Sequence, residues 1–155
     1  MPKVYIAGSL RHSSKEWWSF YEKIAKLAQK IGFKTHVPHI DSVKKINKSV
    51  DDLHNPNLSL SIRANAYKEN LDAVSNSNLL IAEVTKLSIG TGVEIGFALQ
   101  LNKSIICLAQ KDVDITSMVL GPVHLGLIKL IRYENEADAL KKLEKMLKDV
   151  INNLD

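Results

Sequence analysis

The chain has 155 residues, of which 45% are hydrophobic and 25% are charged, with a formal net charge of +4. Length and composition indicate one ordinary globular domain over residues 1–155 and exclude a disordered chain. No apolar stretch approaches the roughly 20 residues that span a bilayer, and the single cysteine, Cys107, cannot form an internal disulfide, so we expect a cytoplasmic protein that is not bound to a membrane.

The first half of the chain predicts two strands, two helices and a long connection. Residues 3–7 form a short apolar run that stops at Gly8, which is typical of a buried strand. A helix is expected after Ser14, because apolar residues then recur at helical spacing as far as Gly32. Residues 33–37 predict a second strand ended by Pro38, residues 39–58 a long polar loop, and residues 60–77 a helix.

The second half continues the alternation of strands and helices. The continuous apolar run over residues 78–84 predicts a central strand that is covered on both faces. A glycine-rich turn over 88–92 should lead into a helix over 93–101, followed by a strand over 103–109, a short helix near 115–120 and a strand over 127–132. The amphipathic helix expected over 136–152 mixes lysine with acidic residues, which favours a solvated face over a nucleic-acid site.

Strands that alternate with helices predict a parallel sheet with right-handed crossovers. The expected fold class is α/β: a single doubly wound, flavodoxin-like domain with a five-stranded parallel sheet flanked by helices. In such sheets ligands bind at the carboxyl ends of the strands, near the point where the strand order reverses. The loops after residues 7 and 84 are therefore expected to face the same crevice.

A string of the form Ser-x-Gly-x-Gly-x-Glu-x-Gly directly follows the predicted central strand, with its serine at Ser88 and its glutamate at Glu94. Gly90 and Gly92 are expected to allow a tight turn or a close approach of the backbone to a ligand. We place Glu94 in the first turn of the following helix, where the helix dipole favours an ionised carboxylate. A carboxylate there suits a nucleophile, but acidic residues in first turns also commonly serve as caps.

The turn after the first predicted strand is a candidate anion-binding site. Backbone amides of Gly8, Ser9 and Leu10 can form a nest, and the Ser9 hydroxyl with the Arg11 guanidinium would complete a cradle for a monophosphate. The histidines and the one cysteine lack the spacing of a zinc site. Neither a metal nor an organic cofactor is expected.

Residues 4–11 and 80–96 resemble the signatures of the nucleoside 2-deoxyribosyltransferase family, and most closely its 2'-deoxynucleoside 5'-phosphate N-hydrolases. The resemblance covers most of the chain and is weakest over residues 39–58. It implies hydrolysis of the N-glycosidic bond of a 2'-deoxynucleoside 5'-monophosphate, with Glu94 attacking C1' to form a covalent glycosyl-enzyme. It further implies that Tyr5 orients Glu94, although a tyrosine on a strand is also a common packing residue.

The resemblance also implies how the phosphate is held. Residues 8–11 match the family's Gly-Ser-x-Arg, Ser88 matches a further phosphate serine, and Ser117 matches one that is delivered across the interface of a homodimer. Each serine taken alone is more typical of a turn or a helix cap.

One position departs from the family pattern. Where the family carries an aspartate that contacts the sugar hydroxyl and is proposed to assist proton transfer to the leaving base, this chain has Asn70. An amide can hydrogen-bond a sugar but cannot transfer a proton, and general acid help is typically worth about 10²–10⁴ in rate. Besides the hydrolase, the sequence therefore leaves open a transferase that exchanges bases between deoxynucleosides and a nucleotide-binding protein of low activity.

Overall fold

The computed structural model describes residues 1–11 and 13–153. Within these residues five strands alternate with helices along the chain. The strands are β1 (Lys3–Gly8), β2 (Lys34–His36), β3 (Leu79–Glu83), β4 (Ser104–Gln110) and β5 (Lys129–Tyr133). The helices are α1 (Lys15–Ile31), α2 (Asp41–Lys45), α3 (Val50–His54), α4 (Leu60–Ser75), α5 (Ile89–Gln100), α6 (Ser117–His124) and α7 (Glu136–Asn152).

The strands form one parallel sheet in the order β2-β1-β3-β4-β5. This is the flavodoxin-like order, and it confirms the predicted doubly wound sheet. The order reverses between β1 and β3, where Gly8 lies beside Glu83 at the carboxyl ends of the two strands. The loops that follow these strands therefore meet at one edge of the sheet.

Helices cover both faces of the sheet. On one face α1 and α7 pack through Ile24 and Leu143 against β1, β3 and β4, whereas α4, α5 and α6 cover the other face. All five residues of β3 are buried, as expected for a central strand between two layers. Among the described residues, no helix is both long and apolar enough to cross a membrane.

Local signals explain where the long helices begin and end. α1 follows Ser14 and stops at Gly32, whose φ of 115° lies in the left-handed region that favours glycine. The Gly32 N–H donates to the carbonyls of Ala28 and Gln29 at 3.2 and 3.0 Å. Asn135 begins α7 by accepting a hydrogen bond from the Asp138 N–H at 3.0 Å. Both helices confirm their predicted limits.

Two local predictions were wrong. Residues 39–58 contain the helices α2 and α3 rather than one long loop, and α3 begins with a capping box in which Ser49 and Asp52 exchange hydrogen bonds of 2.8 and 3.0 Å. Residues 88–92 are not a turn that precedes a helix. Ser88 caps α5 by accepting from the Thr91 N–H at 3.1 Å, and Gly90 does not have a positive φ.

Candidate active site

A cavity of about 740 Å³ opens where the loops after β1 and β3 meet. Its volume lies in the usual range for small-molecule sites. The walls come from the loop after β1, the connection between β2 and α4, α4 itself and the start of α5. The described residues that line it are Gly8, Ser9, Leu10, Arg11, Pro38, His54, Asn70, Leu87, Ser88, Ile89, Gly90, Thr91 and Glu94.

The cavity brings together most of the site residues predicted from the sequence. Those that line it are Gly8, Ser9, Leu10, Arg11, Asn70, Ser88, Gly90 and Glu94. Tyr5 is fully buried and contacts Glu94. Gly92 is not among the described residues of the wall, so the geometry gives no support to its assignment as a substrate-binding residue. Ser117 is exposed at the start of α6, outside the cavity of its own protomer.

Glu94 is held in place by Tyr5. The Tyr5 hydroxyl donates to Glu94 Oε1 at 2.6 Å, and the Tyr5 ring stacks on His36 with centroids 5.3 Å apart and planes 9° from parallel. Burial, together with the negative charges of Glu94 and Glu69, raises the pKa of Tyr5 well above its usual value. The hydroxyl therefore stays protonated and remains a hydrogen-bond donor to the carboxyl group.

The environment of Glu94 corrects the expectation of a fully ionised carboxylate. Glu94 is the sixth residue of α5 rather than a first-turn residue, because the helix begins at Ile89. Burial raises the pKa of Glu94 to about 7, and the hydrogen bond from Tyr5 opposes that rise. Desolvation outweighs any help from the helix dipole, so the acid and the carboxylate are both populated near neutral pH.

The loop after β1 is fixed from behind by α1. The Tyr21 hydroxyl donates to the Ser9 carbonyl at 3.0 Å, and the Ser13 hydroxyl donates to the same carbonyl. A Cβ atom on Gly8 would lie 2.4 Å from Tyr21 Cζ, so any other residue at position 8 would force the Tyr21 ring or the loop to shift. These contacts hold Gly8 and Ser9 against α1, and residues 8–11 line the cavity.

Three buried polar atoms in the cavity wall lack a hydrogen-bond partner within the described chain: Ser9 Oγ, Asn70 Oδ1 and Thr91 Oγ1. Buried polar atoms are nearly always hydrogen-bonded. Since all three belong to residues that line one cavity, a polar ligand there could supply the missing partners. Ser88 differs, because its oxygen already accepts the Thr91 N–H as the cap of α5.

Several residues of the wall were missed in the sequence, namely Pro38, His54, Leu87, Ile89 and Thr91. Thr91 lies inside the glycine-rich string and could have been found there. His54 ends a helix of five residues, which is too short for a periodic pattern to reveal.

A second buried carboxyl group was also missed. Glu83 is the last residue of β3. Burial raises its pKa to about 7, although the hydrogen bonds that it accepts act to lower the pKa. The Thr85 N–H and hydroxyl donate to Glu83 Oε1 at 2.9 and 2.5 Å. Glu83 does not belong to the described wall of the cavity.

No group of three or more histidine, cysteine, aspartate or glutamate side chains in residues 1–11 and 13–153 could hold a metal ion. His12, one of the scattered histidines that the sequence interpretation set aside, lies outside the described residues.

Comparison with known proteins places the chain in a family. A family model described as nucleoside 2-deoxyribosyltransferase matches residues 4–145. The 5-hydroxymethyl-dUMP N-hydrolase of Esox lucius is 28% identical over 141 residues, which cover 86% of this chain and 88% of that protein. The human 5-hydroxymethyl-dUMP N-hydrolase is 25% identical over 142 residues, covering 90% of this chain and 76% of that protein.

A solved structure shows the same fold. The CMP N-glycosidase of Clostridium botulinum superimposes with a TM-score of 0.63 at 21% identity, covering 92% of this chain and 98% of that chain. Because the family match spans nearly the whole sequence, the chain belongs to the nucleoside 2-deoxyribosyltransferase family.

Proposed function

We propose that this protein hydrolyses the N-glycosidic bond of a 2'-deoxynucleoside 5'-monophosphate to a free nucleobase and 2-deoxyribose 5-phosphate. The proposal depends on the position of Glu94. Its Oε1 accepts a 2.6 Å hydrogen bond from the Tyr5 hydroxyl, and Glu94 lines the same cavity as residues 8–11. Family membership supports N-glycosidic chemistry, and the relatives named as 5-hydroxymethyl-dUMP N-hydrolases support a deoxynucleotide as substrate.

In the proposed reaction Glu94 acts in its carboxylate form. Its oxygen bonds to C1' of the sugar, and the electron pair of the C1'–N bond leaves with the base. Water then attacks C1', which breaks the glycosyl ester and restores the carboxylate, as in retaining glycosidases. Tyr5 stays protonated and holds Glu94 Oε1 through both steps, while the amide of Asn70 contacts the sugar hydroxyl.

The 5'-phosphate is proposed to bind to the backbone amides of residues 8–10 and to the Arg11 guanidinium, which all belong to residues that line the cavity. Ser9 Oγ lacks a partner and could donate to a phosphate oxygen. Ser88 and the backbone of Gly90 lie at the amino end of α5, where exposed N–H groups and the helix dipole favour an anion. This end of the cavity therefore offers a phosphate several possible hydrogen-bond donors.

We also propose a homodimer in which Ser117 reaches the partner's cavity. In the described chain, the exposed large apolar side chains that belong to helices all lie on the layer formed by α4, α5 and α6, the same layer that carries Ser117. They are Leu60, Tyr67, Ile89, Val93 and Met118. An apolar face of this kind favours self-association. Met118→Glu should give a monomer by light scattering and raise KM, and an unchanged dimer would contradict this interface.

The experiment that tests the proposed function is incubation with each deoxynucleoside monophosphate and the matching ribonucleotide, followed by measurement of free base. Glu94→Ala should abolish base release, and Arg11→Ala should chiefly raise KM. A second free base in the mixture distinguishes a transferase, because it would appear in a new nucleotide. Base release that survives Glu94→Ala would refute the proposed chemistry.

Asn70 favours one other candidate function, that of a nucleotide-binding protein with little turnover. Asn70 Oδ1 has no hydrogen-bond partner within the described chain, and the Asn70 amide cannot give a proton to a leaving base. This candidate would be correct if a deoxynucleotide raised the melting temperature without any release of base, and if Asn70→Asp then produced release.

A further inference from the structure

The proposed reaction needs a proton donor that Asn70 cannot be. A base that leaves with the electron pair of the C1'–N bond must be protonated, and the amide has no acidic proton to give. The acidic neighbours of Asn70 do not replace it. Glu69 is ion-paired with Lys45 at 2.5 Å, and Asp72 is exposed, and neither belongs to the described wall of the cavity.

The cavity wall narrows the choice of donor. Among its described residues the ionisable side chains are Arg11, His54 and Glu94. A guanidinium is not deprotonated in proteins, and Glu94 is the proposed nucleophile. An imidazole, in contrast, exchanges a proton near neutral pH and is the commonest general acid in enzymes.

His54 and Pro38 line the same cavity as Glu94 and residues 8–11. With the phosphate at residues 8–11 and C1' at Glu94, the base is left with the wall formed by the connection from β2 to α4, which contributes Pro38 and His54. An apolar pyrrolidine ring and an imidazole in one wall suit a nucleobase, which has apolar faces and polar edges. The amide of Asn70, on α4, remains available to the sugar.

The chain that follows α3 is connected to α4 by hydrogen bonds. Arg63, on α4, donates from one guanidinium nitrogen to the Asn55 carbonyl at 2.8 Å and from Nε to the Leu58 carbonyl at 3.3 Å. Asn55 directly follows His54 and caps the helix. The turn that carries His54 is thus tied to the same helix that carries Asn70.

We propose that His54 is the general acid that protonates the leaving base, in place of the carboxylic acid missing at Asn70. The inference rests on the proposed N-glycosidase function. As the C1'–N bond breaks and Glu94 bonds to C1', the imidazolium gives its proton to the nitrogen or carbonyl oxygen that takes up the negative charge of the base. The neutral imidazole then accepts a proton from the water that cleaves the glycosyl ester, so one water is consumed and the enzyme is restored.

The test compares two substrates that differ in their need for a proton. Deoxynucleoside monophosphates need a donor, whereas 4-nitrophenyl 2-deoxyribose 5-phosphate releases a phenolate that leaves without one. His54→Gln should lower kcat/KM by about 100-fold or more for the nucleotide and by less than about threefold for the nitrophenyl substrate. An equal loss on both substrates, or no loss on the nucleotide, would overturn the role of His54.

Further variants separate this inference from the proposed function and from misfolding. Glu94→Gln should abolish cleavage of both substrates, and if it does not, the proposed function itself fails. Asn70→Asp placed in the His54→Gln protein should restore at least about tenfold of the nucleotide activity, because it returns a carboxylic acid to the wall. Asp51→Asn, on an exposed position of the same helix, should leave both activities unchanged. A selective loss in His12→Gln rather than in His54→Gln would overturn the assignment.

Discussion

Replacing Glu94 by glutamine should change how the stability of the protein depends on pH. The pKa of Glu94 is about 7 in the folded protein and 4.5 for the ordinary group. Between these values the folded state binds more protons than the unfolded state, so the free energy of unfolding falls as pH rises through this range. The difference between the two pKa values corresponds to about 3 kcal/mol in the free energy of unfolding. This value is an upper bound, because one side of the carboxyl group faces the cavity.

The stabilising contribution is therefore complete below about pH 4.5 and lost above about pH 7. Glutamine does not ionise, and its Oε1 can still accept the hydrogen bond from Tyr5. Both proteins are unfolded in urea at pH 4, 6 and 8. Between pH 4 and pH 8 the free energy of unfolding of the variant should rise by up to about 3 kcal/mol relative to that of the wild type. Glu83 ionises over a similar range in both proteins and cancels from the difference. Glu144→Gln on α7 should show no such gain, because Lys148 lowers the pKa of Glu144 rather than raising it. A pH-independent difference for Glu94→Gln would contradict a raised pKa of Glu94.

Two other predictions concern the groups that hold the site. Tyr5→Phe removes the hydrogen bond that lowers the pKa of Glu94, so the rise of kcat/KM with pH should move to higher pH; a profile that stays in place would contradict the role of Tyr5. Gly8→Ala sets a Cβ atom 2.4 Å from the Tyr21 ring and should lower the free energy of unfolding, measured in urea, by about 1–3 kcal/mol. The control is Gly96→Ala, whose Cβ atom meets nothing within 4 Å and which should be neutral or stabilising by up to about 1 kcal/mol. Equal effects of the two alanines would show that the close contact does not constrain the loop.

The sheet could be predicted because its signals are local. The apolar run that becomes β3 predicts a central strand, and the helical period of α7 predicts both of its ends. Once the alternation of strands and helices is recognised, the geometry of parallel sheets brings the loops after β1 and β3 together. For this reason the Gly8–Glu94 neighbourhood could be located before the structure was known.

The helices α2 and α3 could not be predicted in the same way. Each has five residues, little more than one turn, so neither can display a repeating apolar face. The start of α5 was misplaced because glycines usually indicate a turn, whereas the Ser88 cap here begins a helix that contains them. Local signals compete at such positions, and the surrounding packing decides between them.

The chemistry of the site depends on contacts between distant parts of the chain. Glu94 and Tyr5 are 89 residues apart, and the burial that raises the pKa of Glu94 exists only when α5 packs over β1. His54 enters the cavity through a connection whose sequence shows no motif. Motifs can therefore point to Glu94 as the proposed nucleophile, but they predict neither its protonation nor the full set of residues that line the cavity.

The proposed reaction depends most on the attack of Glu94 on C1'. Acid quenching of the protein during turnover of a deoxynucleoside monophosphate, followed by peptide mass spectrometry, tests that step directly. The prediction is a 2-deoxyribose 5-phosphate ester on the peptide that contains Glu94, absent in Glu94→Gln. An ester on another residue, or product of inverted configuration at C1' with no ester at any stage, would contradict it.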